Sequence, residues 1–135
     1  MTVEQFFTDY AALSMGEDHP ALAALYAPNF LVAGPKGSAT FANDARFLDW
    51  LAQVGRFNRQ HGMRALSPAD VRETMLSPRH VLAHVRWRAS FEKTGARAIE
   101  FDIAYLLERA EESWRVLGYI SAADQEDEMR TLGLL

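Results

Sequence analysis

The sequence contains no cysteine, which excludes disulfide staples, thiol nucleophiles and thiolate metal sites together. Lysine is almost absent: Lys36 and Lys93 stand alone, so arginine carries nearly all the positive charge. Its rigid fork suits fixed pairing with carboxylates. No apolar run approaches the roughly 18 residues that a membrane-spanning helix needs. No basic stripe exists to follow a nucleic-acid backbone. Met1-Thr2-Val3-Glu4 lacks the basic-then-apolar order of a signal peptide, so a cytoplasmic protein is expected. There is no glycine-rich phosphate cradle, Gly-x-Ser-x-Gly elbow or dinucleotide fingerprint; the Gly34–Gly37 turn has the form of none of these.

What remains is the composition of an ordinary globule. The chain has 135 residues, of which 49% are apolar and 24% charged, and residues 1–135 are expected to form one domain. The net charge of -4 is unevenly placed: residues 108–135 hold seven acidic and three basic groups, and the remainder is balanced. This pattern reads as a solvated acidic end.

Periodicity divides the chain into helices first and strands second. Val3, Phe6, Phe7, Tyr10 and Leu13 recur at helical spacing, predicting a helix over about Val3–Met15 that Gly16 stops. Asp18 or His19 then caps a short helix with Pro20 in its first turn and Leu22, Leu25 and Tyr26 as its inner stripe. Phe30–Ala33 and Ser38–Phe41 read as short strands around the Gly34–Gly37 turn. A third helix is predicted from about Asn43, as its cap, to Gln60, with Phe47, Trp50, Leu51, Val54 and Phe57 on one face. A strand over Asp70–Leu76 follows, and a polar helix over about Ala123–Leu132 closes the chain.

The strongest local signal is an alternation of period two. Val81, Ala83, Val85, Trp87, Ala89 and Phe91 alternate with more polar residues, and Ile99, Phe101, Ile103, Tyr105 and Leu107 repeat the pattern. Directly paired antiparallel residues share a face. A three-residue Lys93-Thr94-Gly95 loop therefore pairs Trp87 with Phe101 and Val85 with Ile103 inside. Outside, it pairs Arg88 with Glu100 and Arg86 with Asp102, so opposite charges meet on both rungs. A four-residue loop, Arg109 to Glu112, would pair Leu107 with Trp114 and place Tyr119 on the outer face beside Leu82, Leu106 and Leu117. An apolar patch rimmed by paired charges reads as a homodimer surface.

Phe6-Phe7-x-x-Tyr10, Gly16-Glu17-Asp18, Ala21-Leu22-x-x-Leu25-Tyr26-Ala27-Pro28-Asn29-Phe30 and Gly34-Pro35-x-Gly37, with the closing Trp114–Ser121 strand, resemble the nuclear-transport-factor-2-like (NTF2-like) superfamily. That superfamily includes the SnoaL-like polyketide cyclases and the ketosteroid isomerases. The resemblance implies an α+β, cystatin-like cone. Three N-terminal helices pack on a strongly curved antiparallel sheet, a short C-terminal helix follows, and a pocket opens at the wide end. It also implies either cofactor-independent proton-transfer chemistry on a small apolar ligand (isomerisation, cyclisation or dehydration) or a non-catalytic binding or dimerisation module; fold alone does not choose. The isomerases carry an oxyanion-donating tyrosine on the first helix, near the position of Tyr10. Their general-base aspartate falls where this chain has Gly34. The aspartate–arginine–aspartate cluster of related epoxide hydrolases has its residue types in Arg86, Arg88 and Asp102, but parity turns these outward.

The candidate catalytic residues are Tyr10 as hydrogen-bond donor and His61 or Glu73 as the proton-moving group. Each has a plain alternative. Tyr10 can be core filler, and His61 can be a cation near the negative end of the third helix. A Ser77-Pro78-Arg79 loop turns Glu73 inward opposite Ala83 and a Ser77-Pro78 loop turns it outward; only the inward orientation suits a general base. Tyr26, Trp50, Trp87, Phe101 and Tyr105 are the candidate ligand-lining residues, or else packed core. His80 and His84, four apart on a strand, lie roughly 13 Å apart and cannot share one ion, so no metal site and no cofactor are expected.

Overall fold

Thr2 opens the first helix with a reciprocal cap: its hydroxyl accepts from the Gln5 N–H, and the Gln5 side chain accepts from the Thr2 N–H. The helix that follows, α1 (Val3–Met15), buries Val3, Phe6, Phe7 and Ala11. These details come from a computed structural model, which describes residues 1–95 and 97–123. Asp18 caps α2 (His19–Ala23), a single turn of five residues. The cap of α3 (Ala45–Gln60) is Asp44, whose carboxylate accepts from the N–H groups of Arg46 and Phe47, and not Asn43 as the sequence suggested. Asn43 instead donates its amide protons to the carbonyls of Ala23 and Tyr26 at 2.8 and 3.1 Å. Two of the helices are therefore long, and the second long one follows the first pair of strands. The C-terminal helix expected over Ala123–Leu132 lies, beyond Ala123, outside the described residues. Among the described residues no helix is long and apolar enough to cross a membrane.

Six strands form one sheet: β1 (Tyr26–Gly34), β2 (Gly37–Ala42), β3 (Met63–Ser77), β4 (His80–Phe91), β5 (Ala98–Ala110) and β6 (Ser113–Ser121). Their order is β2-β1-β6-β5-β4-β3. The sheet is mixed and not antiparallel throughout, because β6 enters beside β1 and runs parallel to it. Parity arguments pair sequence neighbours through hairpins, which are antiparallel by construction; a pair formed between the two ends of the chain leaves no such mark. Both β1 and β3 begin earlier than their apolar patterns suggested. Pro28 lies within a register irregularity between Tyr26 and Leu31, and Pro68 sits at a bulge on β3, an edge strand where a missing N–H is tolerated.

The β4–β5 ladder has the register that parity predicts. Trp87 faces Phe101 and Val85 faces Ile103, while Arg86 meets Asp102 at 3.0 Å and Arg88 meets Glu100 at 3.1 Å on the other side. The β5–β6 hairpin does not. Its turn is two residues, Glu111 and Glu112, with Glu111 at φ 54°, so Leu107 faces Val116. A bulge then shifts the register, leaving Leu117 as the extra residue and pairing Leu106 with Gly118 and Tyr105 with Tyr119. That single residue reverses parity in the last part of β6 and carries Tyr119 from the expected outer surface to the inner face, where it packs against the core. The inner face meets α1, α2 and α3 in one cluster that includes Phe6, Phe7, Leu22, Phe47, Leu51, Val85, Trp87, Tyr105, Leu107 and Val116.

Gly118 is the residue that lets β1 approach the bulge. A Cβ at this position would stand 2.9 Å from the Leu31 carbonyl oxygen and 3.0 Å from its Cβ. Backbone cannot swing aside as a flexible side chain would. Gly118→Ala is therefore expected to lower unfolding free energy in urea by about 1–3 kcal/mol. Gly34→Ala, whose nearest new contact is Ser121 Cβ at 3.8 Å, should change it far less. Equal effects of the two substitutions would remove the close-approach argument.

Candidate functional site

The chain has four tyrosines, and all four converge on the inner face. Helical spacing from Phe6 and Phe7 brings Tyr10 over the sheet; Tyr26 opens β1; Tyr105 alternates inward on β5; the bulge supplies Tyr119. Ring centroids lie 5.9 Å apart for Tyr10 and Tyr105, 5.7 Å for Tyr105 and Tyr119, and 6.1 Å for Tyr10 and Tyr26. The hydroxyls of Tyr10 and Tyr26 share a hydrogen bond, and the Tyr105 ring packs edge-on against Tyr10. Behind them the buried Trp87 donates its indole N–H to the Tyr105 hydroxyl at 2.9 Å.

This is a network of neutral donors. Burial, above all, pushes all four phenols up from their ordinary value. The rise at Tyr10 is moderated by its polar neighbours Tyr26 and Tyr105. With the Tyr26 hydroxyl as donor in their shared bond, the Tyr10 proton is left for another acceptor.

Tyr10, Tyr105 and Tyr119 form one wall of a cavity of about 500 Å³, faced by Trp50, Val54 and Phe57 of α3. Gln53, Asn58 and Ser121 add polar groups to the lining. A second cavity of about 410 Å³ lies between α3 and the β1–β2 hairpin, and the two share Trp50 and Tyr119. Both volumes fall in the range of small-molecule sites.

Of the expected lining residues, Tyr105 and Trp50 reach the cavity; Trp50 is 48% exposed, which an ordinary core residue would not be. Tyr26 and Trp87 stand one layer behind, holding Tyr10 and Tyr105 by hydrogen bonds. Phe101 is half-buried at the junction of two packed clusters and does not line either cavity. His61 is not brought to the cavity: it ends α3, with Nδ1 2.7 Å from the Phe57 carbonyl oxygen and its ring against Phe57 at 4.2 Å. Glu73 does lie opposite Ala83, the inward option, yet its side chain is exposed. It sits on edge strand β3, and the next residue of that face, Met75, is 76% exposed. His80 instead pairs with Glu108 at 3.4 Å. Among the described residues no carboxylate or histidine stands on the wall beside Tyr10.

Sequence reasoning missed Tyr119, Gln53, Asn58 and Ser121. An isolated glycine in a strand pattern is a bulge signal, so Gly118 carried the information about Tyr119. Gln53 flanks the Trp50–Val54–Phe57 stripe and was readable as its polar border.

Helices over one face of a mixed sheet, enclosing an aromatic cavity, define an α+β domain of the cystatin-like type. The profile of the family described as "NTF2-like protein (DUF6841)" matches residues 1–124, and the chain belongs to that family. Solved structures agree on the fold. An NTF2-like protein with a cystatin-like fold from Novosphingobium aromaticivorans superposes with a TM-score of 0.70 at 16% identity, covering 96% of this chain and 85% of that one. A domain of unknown function with a cystatin-like fold from Nostoc punctiforme gives 0.62 at 14% identity, covering 98% and 86%. A hypothetical protein with a ketosteroid isomerase-like fold from Catenulispora acidiphila, in complex with trimethylamine, gives 0.58 at 17% identity, covering 100% and 96%. No curated protein matches this chain.

The raised phenols make a pH prediction. Unfolded tyrosines ionise near pH 10, whereas folded ones hold their protons higher, so above about pH 10 the folded state binds more protons and stability falls as pH rises. The tyrosine contribution to stability should stay constant below about pH 9. Because the chain has no other tyrosine, tyrosinate absorbance should appear together with loss of the fold in circular dichroism. Full ionisation of a still-folded protein near the free-tyrosine value would overturn this reading.

Proposed function

We propose that this NTF2-like domain binds a small, flat, largely apolar molecule that carries an oxygen acceptor, and that the Tyr10 hydroxyl donates to that oxygen. The observation that carries the reading is the placement of Tyr10: on the cavity wall, with its hydroxyl held by a hydrogen bond to Tyr26. Trp50, Val54 and Phe57 opposite it suit an aromatic or alicyclic body. A related fold described with bound trimethylamine supports small organic ligands in this architecture. Tyr10 would also favour negative charge developing on the ligand oxygen. Isomerisation, cyclisation or dehydration would further need a base, and among the described residues neither His61 nor Glu73 supplies one at the wall. Binding without turnover is therefore the reading that the geometry supports best.

The test uses a matched pair, acetylnaphthalene and ethylnaphthalene, followed by quenching of tryptophan fluorescence. Tyr10→Phe should weaken the ketone by about five- to tenfold, the worth of one hydrogen bond in a dry site, and leave the hydrocarbon unchanged. Equal affinities in wild type and variant would end the donor role.

We also propose that the outer sheet face pairs with a second copy. Leu82, Leu106 and Leu117 are half-buried outside the inner cluster, Ile120 is 55% exposed, and the Arg86–Asp102 and Arg88–Glu100 pairs beside them are already neutralised. Paired charges can be covered at lower cost than lone ones. Light scattering should show a dimer for the wild type and a folded monomer for Leu106→Glu; a monomeric wild type would refute the pairing.

A further inference from the structure

The second cavity has a chemistry of its own. Four aromatic rings form a continuous arc along it: Phe41 stacks on Phe30 at 5.9 Å, Phe30 meets Phe47 at 4.7 Å, and Phe47 stacks on Trp50 at 6.2 Å. The arc joins the β1–β2 hairpin to α3, and its two end rings, Phe41 and Trp50, are each 48% exposed. Large aromatic side chains left this open on both flanks of a cavity of about 410 Å³ offer a slot for a planar molecule.

The lining carries one carboxylate and one guanidinium, and the two differ in what already holds them. Asp44 is committed to the helix start, where one carboxylate oxygen accepts from the Arg46 and Phe47 N–H groups at 3.0 and 3.3 Å. The positive end of the α3 dipole offsets that carboxylate further. Arg46 lines the same cavity, and among the described residues no carboxylate pairs with its guanidinium. Carboxylates pair with Arg72, Arg86 and Arg88 elsewhere on the fold; Arg46 is one of several arginines without such a pair among the described residues, and what sets it apart is that it lines an aromatic cavity.

We propose that the slot between the β1–β2 hairpin and α3 takes the flat apolar body of an organic anion, whose carboxylate or comparable acidic group is held by Arg46. Guanidinium is built for planar oxyanions. Because Trp50 and Tyr119 are common to both cavities, a ligand seated here extends toward Tyr10. This deepens the reading above and rests on it: it adds the charge class of the ligand and assigns Arg46 as the residue that selects it.

Two fluorescent probes separate charge from shape: anilinonaphthalene sulfonate, an aromatic anion, and N-phenylnaphthylamine, its neutral parent. Both are titrated into the full-length protein. Arg46→Gln is expected to weaken the sulfonate by about fivefold or more, the lower range for a partly exposed charged hydrogen bond, and to leave the neutral probe within about twofold. Arg46→Lys should restore part of the loss. Raising ionic strength should weaken the sulfonate in the wild type and not in Arg46→Gln. Phe41→Ala should weaken both probes. Unchanged sulfonate affinity in Arg46→Gln, or equal losses for the two probes, overturns the assignment of Arg46 while leaving the Tyr10 site standing. Failure of both probes to bind the wild type overturns the slot itself. Loss of acetylnaphthalene discrimination at Tyr10, with the Arg46 effect intact, overturns the Tyr10 reading and not this one.

Discussion

The fold depends on the register of one ladder, β4 with β5. Strand side chains alternate, so a slip of one residue would exchange Val85, Trp87 and Tyr105 for Arg86, Arg88 and Ala104 on the face that the helices cover. Burying two guanidinium groups there would cost far more than the domain's whole stability margin. The correct register gains twice: aromatic rings pair inside while Arg86–Asp102 and Arg88–Glu100 close outside. The exposed ion pairs add little stability. Their weight lies in penalising the alternative pairings, which makes them devices of specificity.

Once that register holds, the position of Tyr10 follows. Trp87 and Tyr105 are locked together by an indole–hydroxyl bond, and Phe7 packs against both rings, at 6.0 and 4.7 Å. Phe7 is thereby a peg that sets the rotation of α1, and Tyr10, one turn further along, falls onto the same aromatic surface. Tyr10 and Tyr26 then tie α1 to β1, as Trp87 and Tyr105 tie β4 to β5, each pair by one side-chain hydrogen bond. A donor fixed by this many neighbours is already oriented before a ligand arrives, which is the condition for a useful polar contact in an apolar cavity.

These particulars show what could be read from the chain alone. The helices α1 and α3, the β4–β5 pairing and the inward orientation of Trp87 and Tyr105 were legible because each rests on local periodicity. The parallel β1–β6 pair was not, since it joins strands about ninety residues apart and writes no pattern into either. Tyr119 was misplaced for a subtler reason. Parity propagates perfectly until one extra residue enters, and Leu117 is that residue. Glu73 shows the limit of parity from the other side. Its register was one of two correctly framed options, yet face is not burial: β3 is an edge strand, and both Glu73 and Met75 are exposed on it. His61 had the helical phase of the cavity-facing stripe, but at the last turn its imidazole bonds back to the Phe57 carbonyl, which also accepts the His61 backbone N–H, and it does not line the cavity.

The distribution of ionisable groups then bears on what kind of chemistry the cavity can host. Among the described residues no charged side chain is fully buried, and the buried polar positions are hydroxyls and an indole that need no charge. A neutral donor network costs little to desolvate, and it discriminates by geometry: an acceptor oxygen gains from it and a cation does not. A base placed in the same surroundings would carry a desolvation cost that these neutral donors avoid. On the proposed reading, Tyr10 is a polarising group with no abstracting group beside it among the described residues, and that arrangement suits an oxygen acceptor better than a carbon acid.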